Sequence, residues 1–253
     1  MDARMSKATR CLHQFRFSNF NEKARWALAF KGLYLPRKDY LPGPHGGQIK
    51  KLCPESFTPV LEWDGDHIQG SAEVIDHLEK VQPEPPLYPA DPVEKEEALR
   101  VQAHFDEKVG PEVRRALFLD TMSDAAYMAN LFAGGKPWLV RKSYGAMLPL
   151  VRPLMRVAMD LSLDKQSVGL QATEEGLDLI AEQSRTTGYL VGDRYSVADL
   201  SAAALLSITA NPDHPDMKRP EPMSKTTRAW MDRWKDHPGT RGIKEMYARH
   251  RPA

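Results

Sequence analysis

The chain has almost no cysteine: among 253 residues there are only Cys11 and Cys53. They stand in unlike contexts without CxxC spacing, which excludes a disulfide framework or a thiolate metal site and leaves each as a small apolar filler. His13, His45, His67 and His77 show no ligand spacing either, so no metal is expected. No apolar run approaches the ~18 residues that a membrane span needs, and the basic start MDARMSKATR is followed by no apolar signal-peptide core. The expectation is a soluble, cytoplasmic protein. Net charge is nearly absent as well: 35 Lys+Arg against 34 Asp+Glu leave +1. No global field therefore gathers nucleic acid or an anionic membrane, and neither is an expected partner. No repeat of fixed period is visible.

What is present falls into two unlike parts. RCLHQF reads as a short strand, Phe20 to Gly32 as a helix, and LYLPRKDYL as an edge strand, because Pro36 lacks a ladder donor. In that helix Phe20, Ala24, Ala27, Leu28 and Leu33 lie near one face, while Glu22, Lys23 and Lys31 point elsewhere. PVLEW, a turn at Asp64-Gly65-Asp66 and HIQ predict an antiparallel hairpin, followed by a helix from Ser71 through Leu78. The proline-rich QPEPPLYPADP is neither helix nor central strand. It sets the boundaries at 1–81 for an α/β domain, 82–92 for a linker and 93–253 for an all-helical domain. Helical patterns follow at about 92–133, 137–161, 167–186, 196–210 and 223–248. EKEEALR reads as a solvated helix face, and MLPLVRPLMRVAM as core or as the wall of a hydrophobic pocket.

Three motifs carry a resemblance. SNFNEKARWALAFKGL places a Ser at a strand-to-helix junction; FTPVLEWDGDHIQGSAEVIDHL combines an x-Pro-x-Leu hairpin with a Ser at a helix start; and GDRYSVADLSAAAL contains a capping box from Ser196 to Asp199, with Tyr195 placed to staple onto Leu200. Together with the order β-α-β-(α)-β-β-α, a linker and a larger helical part, they resemble the glutathione transferase superfamily over nearly the whole chain. The resemblance implies a thioredoxin-like N-terminal domain followed by an all-helical domain.

It also implies a site. Ser18 would be the hydroxyl that contacts the sulfur of glutathione. A free thiol titrates near ~8.5, so little is thiolate at neutral pH; a donated hydrogen bond and a helix N-terminus favour the charged form. Lowering that pKa by ~2 units needs about 2.7 kcal/mol, which such contacts can supply. The structural alternative is that Ser18 merely leads into a helix capped by Asn19, with Glu22 as the box acid. Thr58-Pro59 would be a cis bond pairing with the cysteinyl unit, and Ser71 would hold the γ-glutamyl carboxylate at a helix N-terminus. Lys50, or Lys51, of HGGQIKK would meet the glycine carboxylate.

Two positions depart from the family pattern. Asn21 stands where many relatives carry Cys, so a mixed disulfide with the protein is not expected. Gly70 stands where relatives carry Glu, Gln or Asp, which removes the usual contact to the ligand's amino group. Phe118 and Tyr127 are candidates for an electrophile pocket. The implied function is glutathione thiolate attack on a hydrophobic electrophile, in a two-fold homodimer. The rivals are a non-catalytic module of the same fold and another glutathione-dependent reaction: isomerisation, ether cleavage or dehalogenation.

Overall fold

A computed structural model describes residues 9–158, 160–162 and 165–253. The N-terminal part runs β1 (Arg10–Gln14), α1 (Asn19–Phe30), β2 (Arg37–Asp39), α2 (Gly46–Ile49), β3 (Val60–Trp63), β4 (Asp66–Gln69) and α3 (Ser71–Val81). The strands form one mixed sheet in the order β2-β1-β3-β4, with β1 parallel to β2 and antiparallel to β3. The β3–β4 turn takes positive φ at both Asp64 and Gly65, as a two-residue hairpin that follows strand twist requires. This is the thioredoxin-like domain that the motifs implied.

Between Val81 and Pro92 there is no regular element; helices then fill the rest of the described chain. They are α4 (Pro92–His104), a π-helical turn (Phe105–Val109), α5 (Gly110–Thr121), α6 (Ala125–Ala133), α7 (Trp138–Ala158) and α8 (Gln166–Thr187). After these come α9 (Val197–Leu205), α10 (Ser207–Ala210), α11 (Lys225–Trp234) and α12 (Pro238–His250). The pattern read as one helix over 92–133 is interrupted twice. The π turn widens the helix at Phe105–Val109, and Asp124 starts a new helix by accepting the Tyr127 N–H.

One apolar core runs through both parts, from Leu12, Trp26, Leu61 and Ile75 to Phe105, Leu177, Leu200 and Tyr247. Helix α1 lies in its middle, which corrects its sequence reading. Glu22, Lys23 and Lys31, assigned to a face away from the core, are buried, because the sheet and α3 cover one side of α1 and the helical part covers the other. Each charge is matched. Glu22 meets Arg25 and Arg251; Lys23 meets Asp106; Lys31 meets Glu79 and donates to the carbonyls of Gln82, Pro83 and Pro85. Asn19 is not the cap of α1 either: Ser18 caps it, and Asn19 donates to the carbonyls of Gly110 and Leu205.

The capping box of α9 forms as its sequence indicates, with Asp199 accepting from Ser196 N and Ser196 Oγ. Its other oxygen accepts Leu190 N at 2.8 Å. Tyr195 stacks on the rings of Trp26 and His250. Because Asp199 is buried, Asp199→Ala leaves two backbone N–H groups unpaired and should cost about 2–4 kcal/mol. Burial pushes the Asp199 carboxyl up to about 6, above its unfolded value. The folded state therefore binds the extra proton between those two values, and the stability advantage of wild type over Asp199→Ala should widen as pH falls from 6 toward 4. Denaturant midpoints of both proteins across that range measure it.

Candidate functional site

The N-terminus of α3 carries no side-chain cap. Gly70 occupies the cap position at φ 112°, Ser71 is the first helical residue, and the opening N–H groups have no intrahelical acceptor. Ser71 is thus inside the helix rather than its cap. Partial positive charge from the helix collects here, at one wall of a cleft of about 520 Å³.

The bond between Thr58 and Pro59 is cis, and both residues line the same cleft with Phe57 and Phe20. Thr58 is positioned by Asn21, whose Nδ2 donates to Thr58 Oγ1 at 3.1 Å. Asn21 N in turn donates to Ser18 Oγ at 3.4 Å. Asn21 therefore joins the start of α1 to the hairpin.

The opposite wall comes from α4, the π turn and α5, and contributes Gln102, Asp106, Glu107 and Arg114. Gln102 is 4% exposed, yet its Oε1 has no partner among the described residues. Asp106 Oδ2 binds the fully buried Lys23 Nζ at 2.5 Å, while Oδ1 is unpartnered. Burial pushes the Lys23 ammonium below its ordinary range, and Asp106 offsets part of that. Arg114 lies over the Phe20 ring with its Nε unpaired, and burial lowers its pKa too. Three buried polar atoms on this wall are thus open to a hydrogen-bonding ligand.

Glu73 and Asp76 of α3 line the cleft as well. A Cβ at position 70 would collide with the Glu73 carboxylate, so the space of a residue-70 side chain is taken by an acid three residues on. The Glu73 carboxylate, in the first turn of α3, thus stands against Gly70.

The structure brings Thr58, Pro59, Gly70 and Ser71 together and leaves other candidates apart. Ser18, half-buried, faces a nearly closed cavity of about 20 Å³ with Phe118, Leu117, Leu131 and Arg219. Phe118 is thus beside Ser18. Tyr127 is buried in the cluster between α6, α7 and Phe17 and lines neither cavity. Lys50 is exposed at the end of α2 and is no part of the cleft lining. Gln102, Asp106, Glu73 and Arg114 were not singled out from the sequence. Gln102 carries a usable signal, since it interrupts the buried stripe Ala98, Val101, Phe105 and Val109 with an uncharged polar group.

Residues 12–86 match the family model of the glutathione S-transferase N-terminal domain. The FtsZ-localized protein A of Caulobacter vibrioides is 28% identical over 204 residues, which is 79% of this chain and 76% of that protein. A glutathione S-transferase of Rhodospirillum rubrum superposes with a TM-score of 0.60 at 24% identity, covering 97% of this chain and 96% of the other. One from Methylobacterium radiotolerans, solved with glutathione sulfonate, does so with 0.60 at 21%, covering 95% and 91%. The chain has the glutathione S-transferase fold.

Proposed function

We propose that the chain binds glutathione in the cleft between α3 and α4 and offers its thiolate to a hydrophobic electrophile. The observation that carries this is the polarity of the cleft. An uncapped helix N-terminus at Ser71 suits a carboxylate, while Glu73 beside it and Asp106 with the unpaired Gln102 Oε1 on the opposite wall offer acceptors for an ammonium. An α-amino acid end group such as the γ-glutamyl unit needs that pair. The cis Thr58-Pro59 segment lines the same cleft and would pair with the cysteinyl unit. Ser18 lies outside the cleft lining and is joined to it through Asn21 and Thr58; its Oγ accepts the Asn21 N–H and keeps its own proton, so capping α1 and donating to a thiolate at that edge of the cleft are compatible.

Calorimetric titration with glutathione tests binding, and saturable binding to wild type is expected. Gln102→Leu should weaken it at least ~tenfold without loss of stability, because the lost acceptor is unused in the free protein. Ser18→Ala should raise the bound thiol toward ~8.5 with little change in affinity. Thiolate absorbance titrated in both proteins decides it, and coincident curves would leave Ser18 as a helix cap only.

A second reading has its own support: the cavity at Ser18 is too small for an electrophile, and one relative is named for its localisation with FtsZ. In that reading the fold serves as a glutathione-binding or protein-interaction module without turnover. Retention on immobilised glutathione with no activity across a panel of electrophiles would favour it.

A further inference from the structure

Helix α7 is covered on one side only. Tyr144, Leu148 and Met155 pack inward against α6, whereas Trp138, Leu139, Leu150 and Val157 are 62%, 68%, 81% and 80% exposed. At the 3.6 residues per turn of a regular helix these four fall, with Lys142 and Arg156, within an arc of about 120°, in two pairs of which the second flanks Pro153 and follows Pro149. The segment expected to be core or pocket wall is core on one face, through Leu148 and Met155, while Leu150 and Val157 stand outward with Trp138 and Leu139 as an apolar ridge. Scattered apolar residues on a surface need no explanation, but four large ones aligned on one helix face do.

The charge around the ridge is one-sided. No Asp or Glu occurs between Asp124 and Asp160, while Lys136, Arg141, Lys142, Arg152 and Arg156 do, in a chain whose total is only +1. Among the described residues none of these five cations is in an ion pair; Lys136 donates to the Asp39 carbonyl and Lys142 lies over the Trp138 ring. Beside the start of α7, Lys136 and Val140 share a depression of about 480 Å³ with Lys38 of β2 and with Arg37, whose charge is paired with Asp216. The one acid there, Asp39, accepts from Gln14.

We propose that this face docks onto an anionic phospholipid surface, with the α7 ridge lying along the headgroup boundary. Each component fits that occupant. The aliphatic side chains stand proud rather than lining a groove, so they suit insertion between lipids better than capture of a peptide. Trp138 sits at one end, where its amphipathic ring suits the interface, and the Lys and Arg stems can lie along the ridge with their charges at phosphate level. A second copy of the chain fits poorly, because pairing two such faces brings like cations together with no acid to separate them. The glutathione cleft contributes none of these residues, so the inference stands apart from the proposed function.

Sedimentation with vesicles tests it. Wild type should bind phosphatidylcholine vesicles containing phosphatidylglycerol, bind pure phosphatidylcholine vesicles far less, and release on added salt. The double variant Leu150→Gln, Val157→Gln and, separately, Lys142→Glu, Arg156→Glu should each reduce the bound fraction at least ~tenfold. All four positions are exposed, so unchanged circular dichroism and unchanged glutathione titration certify the fold. Absence of wild-type binding, or equal binding by both variants, overturns the proposal. So does a stable dimer by light scattering that Leu150→Gln, Val157→Gln dissociates, since the ridge would then be covered by a second copy.

Discussion

Glu22→Gln should lower stability by about 3–5 kcal/mol and the melting midpoint by on the order of 10 °C. Glu22 is wholly buried in α1, and its two oxygens take Arg25 Nε at 2.7 Å and Arg251 Nε at 2.8 Å, with the Tyr247 hydroxyl donating at 3.2 Å. Asp216 is the second acid of this group, 2.7 Å from Arg251 and 3.7 Å from Arg25, and it also pairs with Arg37. Without the Glu22 charge, three arginines share one carboxylate, two of them out of water. The cost lies in those stranded cations more than in the lost attraction. The pH dependence gives a second reading. Burial alone would push the Glu22 carboxyl up, but Arg25 and Arg251 hold it below its ordinary range. A depressed carboxyl stabilises the fold above its unfolded pKa, and that contribution is lost as pH falls through the folded value. Below about pH 4.5 wild type should therefore lose stability faster than Glu22→Gln and the two should converge. Parallel acid limbs would show that the pair network contributes no net charge stabilisation.

Asp106→Ala should have an effect of similar size, about 3–5 kcal/mol, by leaving the buried Lys23 ammonium unpaired. Its signature is opposite in pH. A lysine whose folded pKa is depressed favours the fold when neutral, so the variant should regain stability as pH rises toward the unfolded lysine value near ~10.4. Replacing both partners, Lys23→Met with Asp106→Leu, should recover most of the loss, because it exchanges a buried ion pair for apolar volume. Glutathione affinity separates the two duties assigned to Asp106. If its carboxylate also meets the ligand ammonium, the double variant should be stable yet bind at least ~tenfold more weakly. Affinity that returned together with stability would confine Asp106 to holding Lys23.

These two residues also mark where sequence reading stops. The hairpin at Asp64-Gly65 and the box from Ser196 to Asp199 are legible because local chemistry alone dictates them: positive φ in one case and reciprocal capping in the other. The cis Thr58-Pro59 bond came from the resemblance, since local preference opposes it. Helix α1 was misread because amphipathic periodicity assumes one wet face, and α1 has none; its charges are paired by Arg251, Asp106 and Glu79, all distant in sequence. The far wall of the cleft escaped notice for the same reason. Gln102 and Asp106 lie on a helix whose pattern reads as ordinary until the hairpin with Pro59 and Ser71 is set against it.

The ammonium of Lys31 has a mechanical consequence. It holds three carbonyls of the proline-rich connection and the Glu79 carboxylate at one point, between the end of α3 and the start of α4. Those helices carry the two walls of the cleft. A joint tied to four oxygens is a weld rather than a hinge, and it resists movement of one wall against the other. Loosening the weld, with Lys31→Met, would turn a preformed cleft into one that must be closed by the ligand at the expense of its own binding energy.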